Sequence, residues 1–262
     1  MVSQLKKIEI ARWLLDPEGV QQLPDDLGEL ETMLAQIGLA KIYEEIELPL
    51  VVVLSAMHER GILVDSKILE ALGKDLEKEL ETLTKNIYGA AGKPFNINSP
   101  KQIGEILFDV LRIKSKGRKT KGGARSTNVE SLEAIKDAHM VVPMILKYRE
   151  LFKLQSTYVL PLAELAANSE NGRIRTTFLQ TSTATGRLSS ENPNLQNIPT
   201  GTELAVRLRS AFVSPQGFSF LSLDYSQIEL RVMASVSGDA KMIEAFKNDL
   251  DIHKLTASNV FN

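Results

Sequence analysis

Apolar residues recur mainly at helical spacing along this chain, and strand-like alternation is confined to its second half. The clearest helical pattern spans residues 66–88, where apolar positions step by three or four and the other face is charged. Asp65 precedes it as a helix N-cap. At a rise of about 1.5 Å per residue, this helix is about 35 Å long. A preceding helical pattern at 47–61 predicts that the two form an antiparallel helical pair.

Capping signals predict shorter helices elsewhere. They are expected at 8–17, at 23–38, from Ser99 to about 111, from Asn128 to about 138, from Pro143 through 162, and after Asp239 and Asp251.

Residues 173–178 alternate like a half-exposed strand, whose two arginines are expected to meet either DNA or solvent. The Thr- and Ser-rich residues 179–199 have no period, so they predict an extended loop with many hydrogen-bond donors. Such a loop suits the minor groove of a nucleic acid, where the acceptors are common to all base pairs. The alternative is that its Asn and Gln side chains only stabilise the loop.

A second candidate site lies within residues 218–231. Apolar residues up to Leu223 predict a strand that ends at Asp224, and Ser226 with Glu229 fits the capping box of a new helix. An acidic side chain at such a junction can hold Mg²⁺, which prefers one or two carboxylates plus substrate phosphates. The alternative is that Asp224 is a turn residue and Glu229 half of a cap.

The composition limits these interpretations. The 262 residues suffice for one large or two smaller domains, and a net charge of −2 means that any nucleic acid must bind at a local patch. The chain has no cysteine, which excludes disulfides and cysteine–metal sites, and its sequence lacks the run of about 20 apolar residues that a membrane span needs.

The most basic stretch lies between Asp109 and Glu130, which enclose no acidic residue. Its basic residues are Arg112, Lys114, Lys116, Arg118, Lys119, Lys121 and Arg125. Interspersed glycines predict a loop, which is either a solvated surface or a site of sequence-independent phosphate contacts.

Two long motifs resemble those of the family A DNA polymerases, the bacterial DNA polymerase I group. The string DYSQIELR at 224–231 is similar to the first palm motif of that family. The strings TATGRLSS at 183–190 and NPNLQNIP at 192–199 resemble the motif just upstream, and DIHKLTA at 251–257 resembles the start of the fingers.

The resemblance implies a role for individual residues. Asp224 and the Tyr225 carbonyl would hold Mg²⁺ in a two-metal site, and Glu229 would exclude a 2′-hydroxyl from the incoming sugar. The implied nucleotide-binding residues are Ser226, Gln227, Ile228, Glu229 and His253, the last at the phosphates. The implied DNA-binding residues are Arg187 near the primer end, with Asn194, Gln196, Asn197, Lys114, Lys116, Arg118, Lys119 and Lys121.

The resemblance also implies an α+β fold built from four parts. Residues 1–45 would be the tail of an inactive exonuclease-like domain, 46–170 a helical thumb, 171–238 the first antiparallel strands of the palm, and 239–262 the start of the fingers. Its partners would be primer–template DNA and deoxynucleoside triphosphates, and the protein would be a monomer in the cytoplasm of a bacterial or phage-infected cell, with no membrane association.

These 262 residues lack the second palm carboxylate and the triphosphate-binding Lys and Arg that the family has. We therefore expect the chain alone not to extend a primer. Residues 1–45 contain no complete set of the acidic metal ligands of a proofreading site, so we also expect no exonuclease activity. Two other functions stay open: a non-catalytic DNA-binding module, and one half of a split polymerase completed by a partner chain.

Overall fold

The computed structural model describes residues 2–115, 123 and 125–261. The chain divides into two compact units, Met1–Pro215 and Gln216–Asn262. Helices dominate both units, and the strands are short and paired antiparallel. The predicted α+β class is confirmed.

The first unit is a helical assembly with two small sheets. Its helices are α1 (Gln4–Leu15), α2 (Leu27–Gln36), α3 (Ala40–Ile42), α4 (Leu48–Arg60), α5 (Ser66–Ala91), α6 (Pro100–Gly104), α7 (Val129–Glu133), α8 (Val141–Leu154), α9 (Leu160–Ala167) and α10 (Glu203–Ser210). The π-helical segments Tyr43–Glu47 and Gln155–Val159 join α3 to α4 and α8 to α9, and Glu105–Val110 continues α6. The strands are β1 (Ile62–Leu63), β2 (Arg173–Ile174), β3 (Thr177–Leu179) and β4 (Ser189–Glu191).

Helix α5 is the longest element, and its predicted start and buried face are confirmed. The Asp65 carboxylate accepts a hydrogen bond from the Lys67 amide at 3.0 Å, and the helix ends at Gly92 in the left-handed conformation. Its apolar stripe packs against α8 and α9 in the central core. The members of this core from α5 are Leu69, Leu72, Leu76 and Leu80. Burial of each such side chain contributes about 1.5–3 kcal/mol.

Two further cores flank the central one. The far end of α5 packs through Ile87 against α6, α7 and the start of α8. At the N-terminus, Ile10 and Ala11 of α1 are fully buried against α2 and Tyr43. The predicted helices at 8–17 and 23–38 are therefore confirmed as a packed pair.

The first sheet pairs β1 with β2 directly after Gly61, whose backbone φ is 59°. A side chain at Gly61 would come within 2.7 Å of the Ile174 carbonyl, so the close approach requires glycine. Both arginines of the predicted strand donate to backbone carbonyls at the end of α4, while the expected contact with DNA stays a prediction. Arg173 donates to the Gly61 carbonyl at 3.0 Å and Arg175 to the Glu59 carbonyl at 3.1 Å, which fastens β2 to the end of α4.

The second sheet corrects two expectations. The single strand predicted at 173–178 is divided into β2 and β3, which belong to different sheets. The region predicted as an extended loop contains β4, which pairs with β3 through Phe178 opposite Ser190. A three-residue strand shows no periodicity of its own, because its partner strand sets its conformation. Helix α10, capped by the Thr202 hydroxyl at 3.2 Å from the Ala205 amide, was also not predicted.

The second unit contains α11 (Ile228–Ser237), α12 (Ala240–Lys247) and α13 (Ile252–Val260). The predicted helix end at Gly238 and the Asp239 cap of α12 are confirmed, since the Asp239 carboxylate accepts from the Met242 amide at 2.9 Å. The predicted strand at 218–223 is wrong, because these residues form no regular secondary structure and belong to no sheet in the described ranges. A strand needs a hydrogen-bonded neighbour, and apolar alternation alone does not supply one.

None of the helices in the described ranges is both long enough and apolar enough to cross a membrane. Helix α5 has 26 residues, but its solvent face is charged.

Candidate nucleic-acid interface and metal-binding motif

Arg187 lies at the exposed tip of the β3–β4 hairpin, in the connection formed by residues 180–188. Hydrogen bonds across the connection fix its shape. The Ser182 and Ser189 hydroxyls are 2.8 Å apart, and the Thr183 hydroxyl donates to the Arg187 carbonyl at 2.7 Å. The backbone that carries Arg187 is therefore held by its own neighbours, with the side chain at the surface.

The residues that follow β4 form a tight, exposed turn around Asn194. Its side-chain oxygen accepts from the amides of Gln196 at 3.0 Å and Asn197 at 3.3 Å. The Gln196 side chain donates to the Leu188 carbonyl at 3.2 Å, which joins this turn to the hairpin tip. The loop-stabilising alternative is thus confirmed for Asn194 and Gln196, while their DNA contacts stay a prediction.

The hairpin tip is also bound to the N-terminal part of the chain, which the sequence did not indicate. The indole of Trp13 donates to the Thr183 carbonyl at 2.9 Å, and the Thr181 hydroxyl donates to Glu9 at 2.6 Å. The Gln180 amide donates to the Glu47 carbonyl at 2.9 Å. These contacts join residues more than 130 positions apart, so no local pattern could reveal them.

The Glu9 carboxylate is electrostatically adapted to this contact. Burial raises its pKa, but the hydrogen bonds from Lys6 and Thr181 and the Lys6 charge outweigh burial, so the pKa of Glu9 lies below its ordinary value. Since the folded-state pKa is lowered, the stabilisation is present above the unfolded-state pKa and is lost as pH falls through the folded-state pKa.

Thr181→Val is expected to raise the pKa of Glu9 towards its ordinary value, because the variant removes a donor to the charged form. A carbon-detected NMR titration of the Glu9 carboxyl measures this shift. Thr32→Val is the matched control, since the Thr32 hydroxyl bonds only within α2, to the Gly28 carbonyl. An unchanged Glu9 pKa in the Thr181 variant would contradict the hydrogen bond.

The basic stretch is only partly within the described residues. Lys114 is exposed. Arg125 pairs with Asp109 at 2.5 Å and lies over the Phe108 ring, 4.9 Å from its centroid, so its guanidinium is engaged by the protein. The remaining predicted phosphate contacts, Lys116, Arg118, Lys119 and Lys121, lie outside the described residues.

In the second unit, Asp224 and Tyr225 are exposed, and a two-residue turn separates them from α11. The predicted Ser226 cap is wrong by one position, because Gln227 takes the N-cap place with a left-handed backbone at φ 51°. The Gln227 side chain reaches the Asp251 carboxylate at 3.4 Å. Ile228 and Glu229 then form the first turn of α11, with Glu229 at the surface.

Arg231 fixes the turn that follows Tyr225. Its Nε donates to the Ser226 carbonyl at 2.9 Å, and its guanidinium lies over the Phe246 ring of α12, 4.6 Å from the centroid. This arrangement joins the turn, α11 and α12. His253 lies near the start of α13, but its side chain is outside the described part of the structure.

The donor set around Asp224 fits only part of a magnesium centre. A carboxylate and a backbone carbonyl are the hard oxygen ligands that Mg²⁺ takes. Among the described residues, however, no group of three His, Asp or Glu side chains is placed to hold a metal. A centre here would need further oxygen ligands, such as substrate phosphates.

The model of DNA polymerase family A matches residues 66–262, which include both motifs, α5 and the hairpin. The chain belongs to DNA polymerase family A. Members of this family generally use Mg²⁺.

The similar curated proteins are bacterial DNA polymerases I. The chain is 50% identical to the thermostable DNA polymerase I of Thermus filiformis over 220 residues, which is 84% of this chain and 26% of the relative. It is 46% identical to DNA polymerase I of Deinococcus radiodurans over 220 residues, or 84% of this chain and 23% of the relative. The chain thus spans about a quarter of the length of these relatives.

A solved structure also matches the whole chain. It is the POL domain of Pol1 from M. smegmatis in complex with a DNA primer–template and dNTP. The two are 35% identical with a TM-score of 0.82, and the match covers 100% of this chain and 47% of that chain.

Proposed function

We propose that this chain is part of a DNA-directed DNA polymerase that adds deoxynucleotides to a primer 3′ end in replication or repair. The observation that carries the proposal is the match of the entire chain to a polymerase domain bound to primer–template DNA and dNTP. In this assignment the chain acts as a monomer in the cytoplasm of a bacterial or phage-infected cell. Residues 46–170 are the thumb, 171–238 the first part of the palm and 239–262 the start of the fingers, preceded by a tail of an exonuclease-like domain at 1–45.

The first unit supplies the DNA contacts. Arg187, presented at the hairpin tip, meets the minor groove near the primer end, where its donors match acceptors that every base pair offers. Asn194 and Gln196 keep the adjoining turn in shape. Lys114 and the basic residues that follow it contact backbone phosphates, whose recognition is independent of sequence.

The second unit supplies the nucleotide site. The Asp224 carboxylate and the Tyr225 carbonyl hold Mg²⁺, which, when bound, stabilises charge that develops on the transferred phosphate. Residues 226–228 and His253 line the site of the incoming nucleotide. Glu229, at the surface of the first turn of α11, borders the sugar and rejects a 2′-hydroxyl.

We expect the 262-residue chain alone not to extend a primer. The expectation rests on the second palm carboxylate, which these 262 residues lack, because two-metal phosphoryl transfer needs a clamp on both the attacking and leaving oxygens. Restored extension after adding the remaining palm and fingers in trans would instead identify one half of a split polymerase. The exposed apolar side chains of residues 218–223, which pair with no strand in the described part of the chain, favour this second candidate function, since such a segment can accept a strand from another chain.

Lys114→Ala is expected to weaken binding of the chain to a primer–template and to make the slope of log affinity against log salt shallower by about 1, because one phosphate contact is lost. Fluorescence anisotropy at several salt concentrations measures this slope. Lys41→Ala is the matched control, as Lys41 is also exposed but lies on α3 and pairs with Glu45. Binding that does not weaken as salt rises would contradict the proposed interface.

A further inference from the structure

Three residues of the hairpin that carries Arg187 form hydrogen bonds to the N-terminal part of the chain across large sequence distances. Three of these bonds run from Trp13 Nε1 to the Thr183 carbonyl, from the Thr181 hydroxyl to Glu9 Oε1, and from Gln180 Nε2 to the Glu47 carbonyl, at 2.9, 2.6 and 2.9 Å. All three fall within four consecutive residues at the start of the hairpin tip. We call residues 180–183 the anchored segment.

The N-terminal side of these contacts is a firm support. Between Glu9 and Trp13 on α1 lie Ile10 and Ala11, both fully buried against α2 and Tyr43. A helix held through its buried face fixes the directions of its neighbouring side chains. The support is therefore a packed core and not a mobile terminus.

The other side of the contacts leads directly to Arg187. Thr183 accepts the Trp13 indole through its carbonyl and donates its own hydroxyl to the Arg187 carbonyl at 2.7 Å. One residue thus links α1 to the backbone of Arg187. Gln180, at the start of the anchored segment, is 3% exposed, so this end is also buried in the protein.

We infer that Trp13, Glu9 and Glu47 are positioning residues for DNA binding, which hold the Arg187 hairpin in the conformation that meets the minor groove. The inference rests on the proposed function, since it requires that this hairpin contact DNA. The N-terminal segment thereby has a role in substrate binding that is separate from any exonuclease function. A loop that is ordered before binding loses less conformational entropy when the DNA arrives.

The first test measures affinity for a primer–template duplex with single substitutions in the full chain. Trp13→Phe keeps an apolar ring but removes the indole donor, and Thr181→Val removes the hydroxyl at similar volume. Each is expected to weaken binding about 2- to 10-fold, the range for one lost hydrogen bond, without changing the salt slope. Tyr43→Phe is the matched control, because its hydroxyl bonds to the Lys7 carbonyl in the same core and not to the hairpin.

A double-mutant cycle separates positioning from general destabilisation. If Trp13 acts through Arg187, then Trp13→Phe weakens binding in the wild-type background but not in an Arg187→Ala background. Additive losses in the two backgrounds would overturn the inference. So would a Trp13→Phe variant that binds as tightly as wild type, or a Tyr43→Phe control that binds as weakly as Trp13→Phe.

Amide hydrogen exchange without DNA gives an independent result. Trp13→Phe is expected to speed exchange within residues 181–189, while Tyr43→Phe leaves these amides unchanged. If wild-type chain does not bind the duplex at all, the proposed function fails, and with it the inferred role of the anchoring in binding. Faster amide exchange in the Trp13→Phe variant would then still show that Trp13 holds the hairpin. Failure of the proposed DNA binding and failure of the hairpin contact are therefore distinguishable.

Discussion

Asp224→Asn is expected to abolish primer extension while leaving primer–template affinity unchanged or slightly higher. The substitution removes one negative charge near the expected phosphates and leaves the side-chain volume the same. Loss of a metal ligand costs several kcal/mol of transition-state stabilisation, which corresponds to about a thousandfold or more in rate. The measurement is single-turnover extension in a chimera in which residues 66–262 replace the matching segment of the Thermus filiformis polymerase, a relative 50% identical to this chain.

Asp239→Asn is the control for this experiment. Asp239 is an exposed acid in the same unit, and it caps α12 through the Met242 amide. Because Asn caps a helix about as well as Asp, this variant is expected to keep both stability and turnover. If the Asp224 variant extended the primer at the rate of the Asp239 control, Asp224 could not be a ligand of the catalytic metal.

The sequence predicted best those elements whose signals are local. The Asp65 cap and the apolar stripe of α5 are encoded within one helix, and both appear as expected. The same holds for the Asp239 cap and for Gly238, which ends α11 in a left-handed conformation. In each case neighbouring residues alone decide the conformation.

The sequence failed where a partner distant in the chain decides the conformation. Ser189 to Glu191 form a strand because β3 lies beside them, whereas the more strand-like residues 218–223 pair with no strand in the described ranges. Arg173 was expected to meet DNA or solvent, and the sequence did not indicate that its Nη1 donates to the carbonyls of Arg60 and Gly61. Charge and alternation do not indicate which of several possible partners a side chain has.

In the candidate site, too, the features set by neighbouring residues were predicted and those set by distant residues were not. The motif at 224–231 was found because its residues are contiguous, and its Asp224 and Tyr225 lie exposed just before α11. The support of the Arg187 hairpin by Trp13 and Glu9 was missed, because its donors and acceptors lie at opposite ends of the first unit's sequence. A hydrogen bond between such distant residues becomes visible only after the core of α1 has been placed.

Glu229→Ala is expected to relax the choice between deoxyribonucleotides and ribonucleotides. Glu229 lies in the first turn of α11, five positions after Asp224, so a sugar beside the metal ligand would lie close to its side chain. Removing the side chain leaves room for a 2′-hydroxyl. A pocket with room for the 2′-hydroxyl distinguishes ribonucleotides from deoxyribonucleotides only weakly. We therefore expect the preference for deoxyribonucleotides to fall about a hundredfold.

The measurement is the ratio of kcat/KM for matched deoxyribonucleoside and ribonucleoside triphosphates in the same chimera. Glu244→Ala is the control, because Glu244 is an exposed acid on the neighbouring helix α12. If Glu229 excludes the 2′-hydroxyl, its removal raises kcat/KM for the ribonucleotide and leaves kcat/KM for the deoxyribonucleotide unchanged. A folding defect would instead lower both values together. An unchanged ratio in the Glu229 variant would show that another side chain excludes the 2′-hydroxyl.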